Sequence, residues 1–157
     1  ILNSILRYSI HNNYELGINL LGSGVDVNDP GDGDTGPNGI QNYPVLDSAY
    51  YDGGTFSVGG TLNSKGNKTY RLEFFANQSC DGSDHGEGEV FLGSLQVTTN
   101  QAGDAQFTTS FGSVPFGAGP HITATATDPD GSTSEFSACR TTSDPPAWKT
   151  FIPLLKR

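Results

Sequence analysis

The chain contains no methionine, one tryptophan, two cysteines and only 8 basic residues among 157. No apolar run approaches the roughly 20 residues a spanning helix needs, so no membrane span is predicted. Against those 8 basic residues stand 17 acidic ones, for a formal net charge of -9. A surface of that sign repels nucleic acid and anionic lipid, which excludes a nucleic-acid partner and leaves cations and neutral glycans. The three histidines, His11, His85 and His121, stand in no metalloprotease or zinc-finger spacing. There is no Gly-x-Ser-x-Gly elbow either, so no catalytic residues are assigned and a non-enzymatic role is expected. What remains in quantity is Thr, Ser, Gly, Asn, Tyr and Phe, the composition of an all-β extracellular protein. The chain opens on Ile1 inside an apolar pattern, which points to a fragment or a processed form with any export signal upstream.

Cys80 and Cys139 are expected to form a disulfide closing a loop of 139 − 80 = 59 residues, worth about 4 kcal/mol on the chain-entropy estimate. Nothing nearby supplies a C-x-x-C spacing, a base or a zinc set, and the alternative is two unrelated thiols. Asn67-Lys68-Thr69 and Asn77-Gln78-Ser79 are glycosylation sequons, which matter only in a glycosylating host.

The densest chemistry lies in Asp26-Val27-Asn28-Asp29-Pro30-Gly31-Asp32-Gly33-Asp34-Thr35-Gly36-Pro37-Asn38-Gly39. Hard cations take six to eight oxygens, and Gly and Pro let a short loop wrap closely enough to supply several. The candidate ligands are Asp26, Asn28, Asp29, Asp32, Asp34 and Asn38, with Ca²⁺ as the metal. An EF-hand register fails, because Pro30 falls at its fifth position and Pro37 where the bidentate Glu belongs. The alternative is a solvated acidic loop of Asp-Pro and Asn-Gly turns.

Short alternating segments predict strands over 40–51, 55–62, 69–77, 90–99, 105–111, 121–127 and 134–139, with tight turns and no helix. The fold class predicted is all-β: an antiparallel Ig-like β-sandwich over 45–142, preceded by a terminal parallel β-helix-like rung over 1–25 and an Asp/Gly-rich calcium linker over 26–44. A Pro-rich break and an apolar, basic-ended tail fill 143–157, either packed on the sandwich or acting as a sorting or docking peptide. The rung is suggested by Ile10 before Asn12-Asn13 and by Gly17-Ile18-Asn19-Leu20. Such a coil buries its faces only against another coil, so the expected partner is an upstream β-helix of the same polypeptide or a second copy in a homo-oligomer. An ordinary N-terminal hairpin is the alternative.

The run from Asn28 to Leu46, the segment Arg71-Leu72-Glu73-Phe74-Phe75-Ala76-Asn77 with Cys80, and Thr123 to Gly131 with Ser134-Glu135-Phe136-Ser137-Ala138-Cys139 resemble the C-terminal module of large bacterial surface proteins. In those proteins a right-handed β-helix is followed by an Asp-rich linker and an Ig-like sandwich. The resemblance covers most of the chain and implies an extracellular, adhesive or structural role with no catalytic residues to carry over. The ending Phe151-Ile152-Pro153-Leu154-Leu155-Lys156-Arg157 is similar to apolar-then-basic endings on exported proteins of filamentous green bacteria.

Three further groups are candidates. The loop Asp81-Gly82-Ser83-Asp84-His85-Gly86-Glu87-Gly88-Glu89 could hold a second cation or an acid/base pair, against a mobile acidic loop tethered by Cys80. Asp128, Asp130, Ser132 and Glu135 could form another calcium site, against an ordinary Asp-Pro-Asp-Gly turn. Tyr43, Tyr50, Tyr51, Phe56 and Trp148 could present a stacking platform to a glycan, against core packing. The expected function is a secreted cell-surface structural or adhesion module, calcium-stabilised and self-assembling. The alternatives are a carbohydrate-binding module and the tail of a β-helix polysaccharide-degrading enzyme.

Overall fold

A computed structural model describes residues 2–22, 24–114 and 117–143. Among the described residues seven strands follow one another: β1 Val45–Asp52, β2 Thr55–Asn63, β3 Thr69–Asn77, β4 Val90–Thr98, β5 Asp104–Phe111, β6 His121–Thr127 and β7 Arg140–Thr141. They form two sheets, ordered β1-β2-β5 and β4-β3-β6-β7, in which every strand pair is antiparallel. The molecule is therefore all-β, and among the described residues no helix is long and apolar enough to cross a membrane.

Alternation builds the core between the sheets. Phe56, Val58 and Leu62 of β2 and Phe107 of β5 face Tyr70, Leu72 and Phe74 of β3 and Ile122, Ala124 and Ala126 of β6. Phe74 crosses the gap, its ring centroid 5.7 Å from Phe107 and 5.2 Å from Phe111. Side chains of this size contribute about 1.5–3 kcal/mol each when buried. The predicted β4–β5 hairpin is instead a turn from one sheet to the other, closed through Asn100, whose Oδ1 accepts the Ala102 and Asp104 amides, while Gly103 takes φ 92°.

The two sheets differ in their outer faces. On β5 the outward residues Gln106, Thr108 and Ser110 are exposed, as alternation predicts. On β3 and β6 the outward residues Glu73, Phe75, Asn77, Thr123, Thr125 and Thr127 are buried as well. What covers them is the N-terminal segment together with residues 132–137. Ile5, Ile10, Ile18 and Leu20 pack onto Phe75, Phe91 and Phe136 in a second, smaller cluster. Residues 2–22 form no strand; they make one isolated bridge, Ile10 to Gly88, with both amide–carbonyl distances 2.8 Å. Where the sequence suggests a β-helix coil awaiting an outside partner, Ile5, Ile10, Ile18 and Leu20 of this strap pack on the outer face of their own sandwich, while Leu2, Tyr8, Tyr14 and Leu21 stay exposed.

The expected strand over 134–139 is also different. This segment lies along β6, but Ser134 and Ser137 turn their hydroxyls onto the strand: Oγ of each accepts a β6 amide, Ala126 and Ala124, at 2.9 Å. Their own amides donate to the carbonyls of the same two residues. Serines three apart thus serve amides two apart, so the segment follows a tighter path than a strand and points Glu135 and Phe136 toward the strap. β7 begins only after Cys139, which is bonded to Cys80 with Cα atoms 6.1 Å apart. Of the two sequons, Asn77 is buried with its amide nitrogen donating to His121 and Thr123, while Asn67 is exposed. The tail over 144–157, with Trp148 and its docking-peptide reading, lies outside the described residues.

Candidate metal centre

Pro30 and Gly31 start a tight reversal that Asp32 continues, with φ 77° at Gly31 and 55° at Asp32. Asn42 anchors this loop: its Nδ2 donates to the carbonyls of Asp29 and Asn63, and its Oδ1 accepts the Asp29 amide. Asn63 adds a bond from the Gly31 amide at 2.7 Å. The reversal folds three of the six predicted ligands together. One carboxylate oxygen from each of Asp29, Asp32 and Asp34 lies within 4.8 Å of the others.

The three are held differently. Asp32 is 1% exposed, its Oδ1 accepting the Asn42 amide at 3.0 Å and its Oδ2 the Ser64 hydroxyl at 2.7 Å. Ser64 in turn lies 2.9 Å from the Tyr70 hydroxyl, so the loop is seated on the sandwich core. Asp29 accepts the Gly33 amide through Oδ2, but its Oδ1, like Oδ1 of Asp34, is shut away from water with no hydrogen-bond partner. Burial pushes the Asp32 carboxyl above its ordinary range, opposed by the Ser64 and Asn42 hydrogen bonds. Asp34 is pushed the same way by burial and then by the charges of Asp29, Asp32 and Asp26. Two unsatisfied carboxylate oxygens beside a third carboxylate make an all-oxygen donor set that fits a hard divalent cation.

The other three predicted ligands are occupied elsewhere. Asn28 clasps the main chain of Tyr43 through both ends of its carboxamide, at 2.8 and 2.9 Å. Asn38 is buried and bonds Asn3 and the Thr133 carbonyl. Asp26 accepts the Leu21 amide and donates its own amide to Glu135.

Two buried carboxylates receive the strap: Glu73, which the sequence did not single out, and Glu135, which it placed in a calcium site instead. Glu73, wholly buried, accepts the Arg7 amide at 2.6 Å and binds Arg71 through Nε and Nη2 at 2.8 and 2.7 Å. Glu135 spends one oxygen on the Leu20 amide at 2.8 Å and the other on the Asp26 amide at 3.0 Å; burial raises its pKa against those bonds. Thr133 takes the Ile5 amide at 2.9 Å. These groups read main-chain N–H groups, so the strap needs no ladder to satisfy its backbone. The available signal for Glu73 was a lone Glu among apolar neighbours, Leu72-Glu73-Phe74.

Members of the remaining candidate groups make structural hydrogen bonds. Asp128 Oδ1 accepts the amides of Asp130 and Ser132 at 2.9 and 2.8 Å, a turn, and Glu135 faces the strap instead. His85 Nδ1 is 3.1 Å from the Phe136 carbonyl, and its ring meets Tyr43 edge-on at 5.0 Å. Among the described residues no carboxylate pairs with His85, and Glu89 accepts the Gln78 amide. Of the aromatic group, Phe56 is in the core with its ring 4.8 Å from that of the exposed Tyr51, and Trp148 lies outside the described residues. No protein-family model matches this chain, and no curated protein matches it.

Proposed function

We propose that the chain is a non-enzymatic, secreted cell-surface module with a structural or adhesive role, in which Ca²⁺ held by Asp29, Asp32 and Asp34 stiffens the joint between strap and sandwich. The observation that carries this reading is the convergence of those three carboxylates, two with a buried, unpartnered oxygen, on a loop anchored by Asn42, Asn63 and Ser64. The Cys80–Cys139 disulfide supports an oxidising, extracellular location. An Ig-like assignment rests on strand order: β5 returns beside β2 and β6 beside β3, the same crossings that make the Ig Greek key, while β4 joins the second sheet.

The partner we assign is another β surface, from an upstream β-helix or a second copy. It would cover the outward side of the strap, where Leu2, Tyr8, Tyr14 and Leu21 are 56%, 61%, 107% and 52% exposed. Calorimetry of the chain with calcium and with chelator tests the metal. A ligand at about 100 times its Kd adds about 2.7 kcal/mol, which for a chain of this length raises Tm by roughly 2–4 °C per kcal/mol. Asp32→Ala with Asp34→Ala should remove most of that rise. An identical Tm in calcium and chelator, unchanged in the double variant, leaves a solvated loop and sinks the reading.

A further inference from the structure

The strap leaves one of its edges unused. Three amides two residues apart are donated to the protein beneath: Asn3 to Asn38 Oδ1 at 2.8 Å, Ile5 to Thr133 Oγ1 at 2.9 Å and Arg7 to Glu73 Oε2 at 2.6 Å. In an extended chain successive amides point to opposite sides, so those of Ser4 and Leu6 face away. Neither their amides nor their carbonyls meet a partner among the described residues. At Arg7 the backbone turns through φ 58°, and Ile10 spends its amide and carbonyl on Gly88, so the open edge is residues 2–6.

Its side chains separate this edge from the others. Leu2, Ile5, Tyr8 and Ile10, with Asn3 and Ser4, line a shallow groove of about 560 Å³, and Leu2 and Tyr8 are exposed. The outer strands β4 and β5 end their sheets with Ser94, Gln96 and Thr98 and with Gln106, Thr108 and Ser110 exposed, polar residues that discourage edge pairing. Charge selects the occupant. Between residues 2 and 22 the only charged side chains are Arg7 and Glu15, so the formal charge of -9 lies entirely outside this segment. Two copies meeting strap to strap bring neutral segments together and keep their acidic excess apart, whereas a cationic partner finds no net charge there to attract it. An open edge this short cannot seat a whole β-helix coil but suffices for an antiparallel pairing.

We propose that residues 2–6 pair antiparallel with the same residues of a second copy about a two-fold axis at Ser4. Ser4 then faces Ser4, Leu2 faces Leu6, and each groove is covered by the apolar side chains of the other copy. The contact is isologous, each copy giving and receiving the same main-chain bonds. The pairing rests on the reading of the strap as a partner-binding face, and it adds the occupant, the register and the atoms.

Sedimentation equilibrium of the whole chain at about 0.15 M salt, paired with amide exchange at low and high protein concentration, decides it. Wild type should pass from monomer to dimer. Dimerisation should slow exchange at Ser4 and Leu6, while Ile5 and Arg7 are protected at every concentration. Ser4→Pro removes the central outward amide and none of the inward ones, and should weaken the dimer about tenfold or more. Ser4→Ala loses only the hydroxyl bond to the Gly131 carbonyl at 2.9 Å and should dimerise like wild type. Leu6→Pro serves where Ser4→Pro lifts the strap, which exchange at Ile5 and Arg7 reports. A wild type that stays monomeric overturns the second copy as occupant and leaves the face to an upstream coil. A dimer that both proline variants leave intact, but Leu2→Ser with Tyr8→Ser dissociates, overturns the edge pairing and keeps the strap face as an interface. A dimer that none of these variants weakens overturns both.

Discussion

Replacing Phe136 by alanine should loosen the strap before it loosens the sandwich. Phe136 is 3% exposed, sits 5.5 Å from Phe75 in an edge-to-face pair at 86°, and joins Ile5, Ile10, Ile18 and Leu20 to the outer sheet face. Its ring occupies the space that a Cβ on Gly17 or Gly88 would need, at 3.1 and 2.6 Å, so it packs directly on two stretches of backbone. Truncating a buried Phe costs about 3–5 kcal/mol when the surroundings cannot close in, and about 0.5–1.5 kcal/mol of that belongs to the aromatic pair. Whole domains are stable by about 5–15 kcal/mol, so the variant should still fold. The inter-sheet core shares no buried residue with this cluster, so the loss should be local. Native-state amide exchange should show protection lost first at Arg7, Ile10 and Leu20, whose amides bond Glu73, Gly88 and Glu135. Urea titration gives the global change. A loss below about 1 kcal/mol, or equal weakening of strap and β2–β5 amides, refutes a separately held outer layer. Sedimentation of the same variant reads whether a loosened strap recruits a second copy.

Intact mass after alkylation without reduction should show no free thiol at Cys80 or Cys139, and reduction should cost about 4 kcal/mol for the 59-residue separation; two alkylated cysteines in the unreduced protein contradict the bridge. The pH response should change sign with calcium. Because burial raises Asp32, Asp34 and Glu135, the cation-free native state binds more protons than the unfolded chain between about pH 4 and the raised values, and their contribution falls as pH rises through that window. Asp81, held low, contributes in the opposite sense. Calcium requires the ionised forms and so favours neutral pH. Comparing melts of wild type with Asp32→Asn/Asp34→Asn at about pH 5 and pH 7 isolates the pair: in chelator the wild type should lose ground to the variant on going to pH 7, and in calcium it should gain. The same sign in both media contradicts the assignment.

The strands that face the inter-sheet core could be read directly from the chain. Phe56, Val58 and Leu62 and then Ala105 and Phe107 alternate with polar residues because one face meets the core and the other meets water. That local period survives in any context, and it placed β2, β3 and β6 within a residue of their observed limits. The cysteine pair was equally open to reading, since only two thiols exist. Ser134 to Cys139 was misread because a period-two pattern cannot reveal that Ser134 and Ser137 will spend their hydroxyls on β6 amides.

The acidic loop divides along the same line. Composition marked it as a place where oxygen ligands gather, and equally as a run of Asp-Pro and Asn-Gly turns. Which of its six candidates could meet one ion depended on partners far away in sequence: Ser64 and Asn63 hold Asp32 and Gly31, while Tyr43 and Thr133 draw Asn28 and Asn38 off. The strap shows the effect most plainly. Its apolar residues announced that the segment must be buried, since exposed Ile and Leu side chains carry that demand in any fold. Its partner could not be read there, because that surface is made by Glu73, Phe75, Glu87, Glu135 and Phe136, residues adjacent only after β3 and β6 pair and the disulfide loop closes over them.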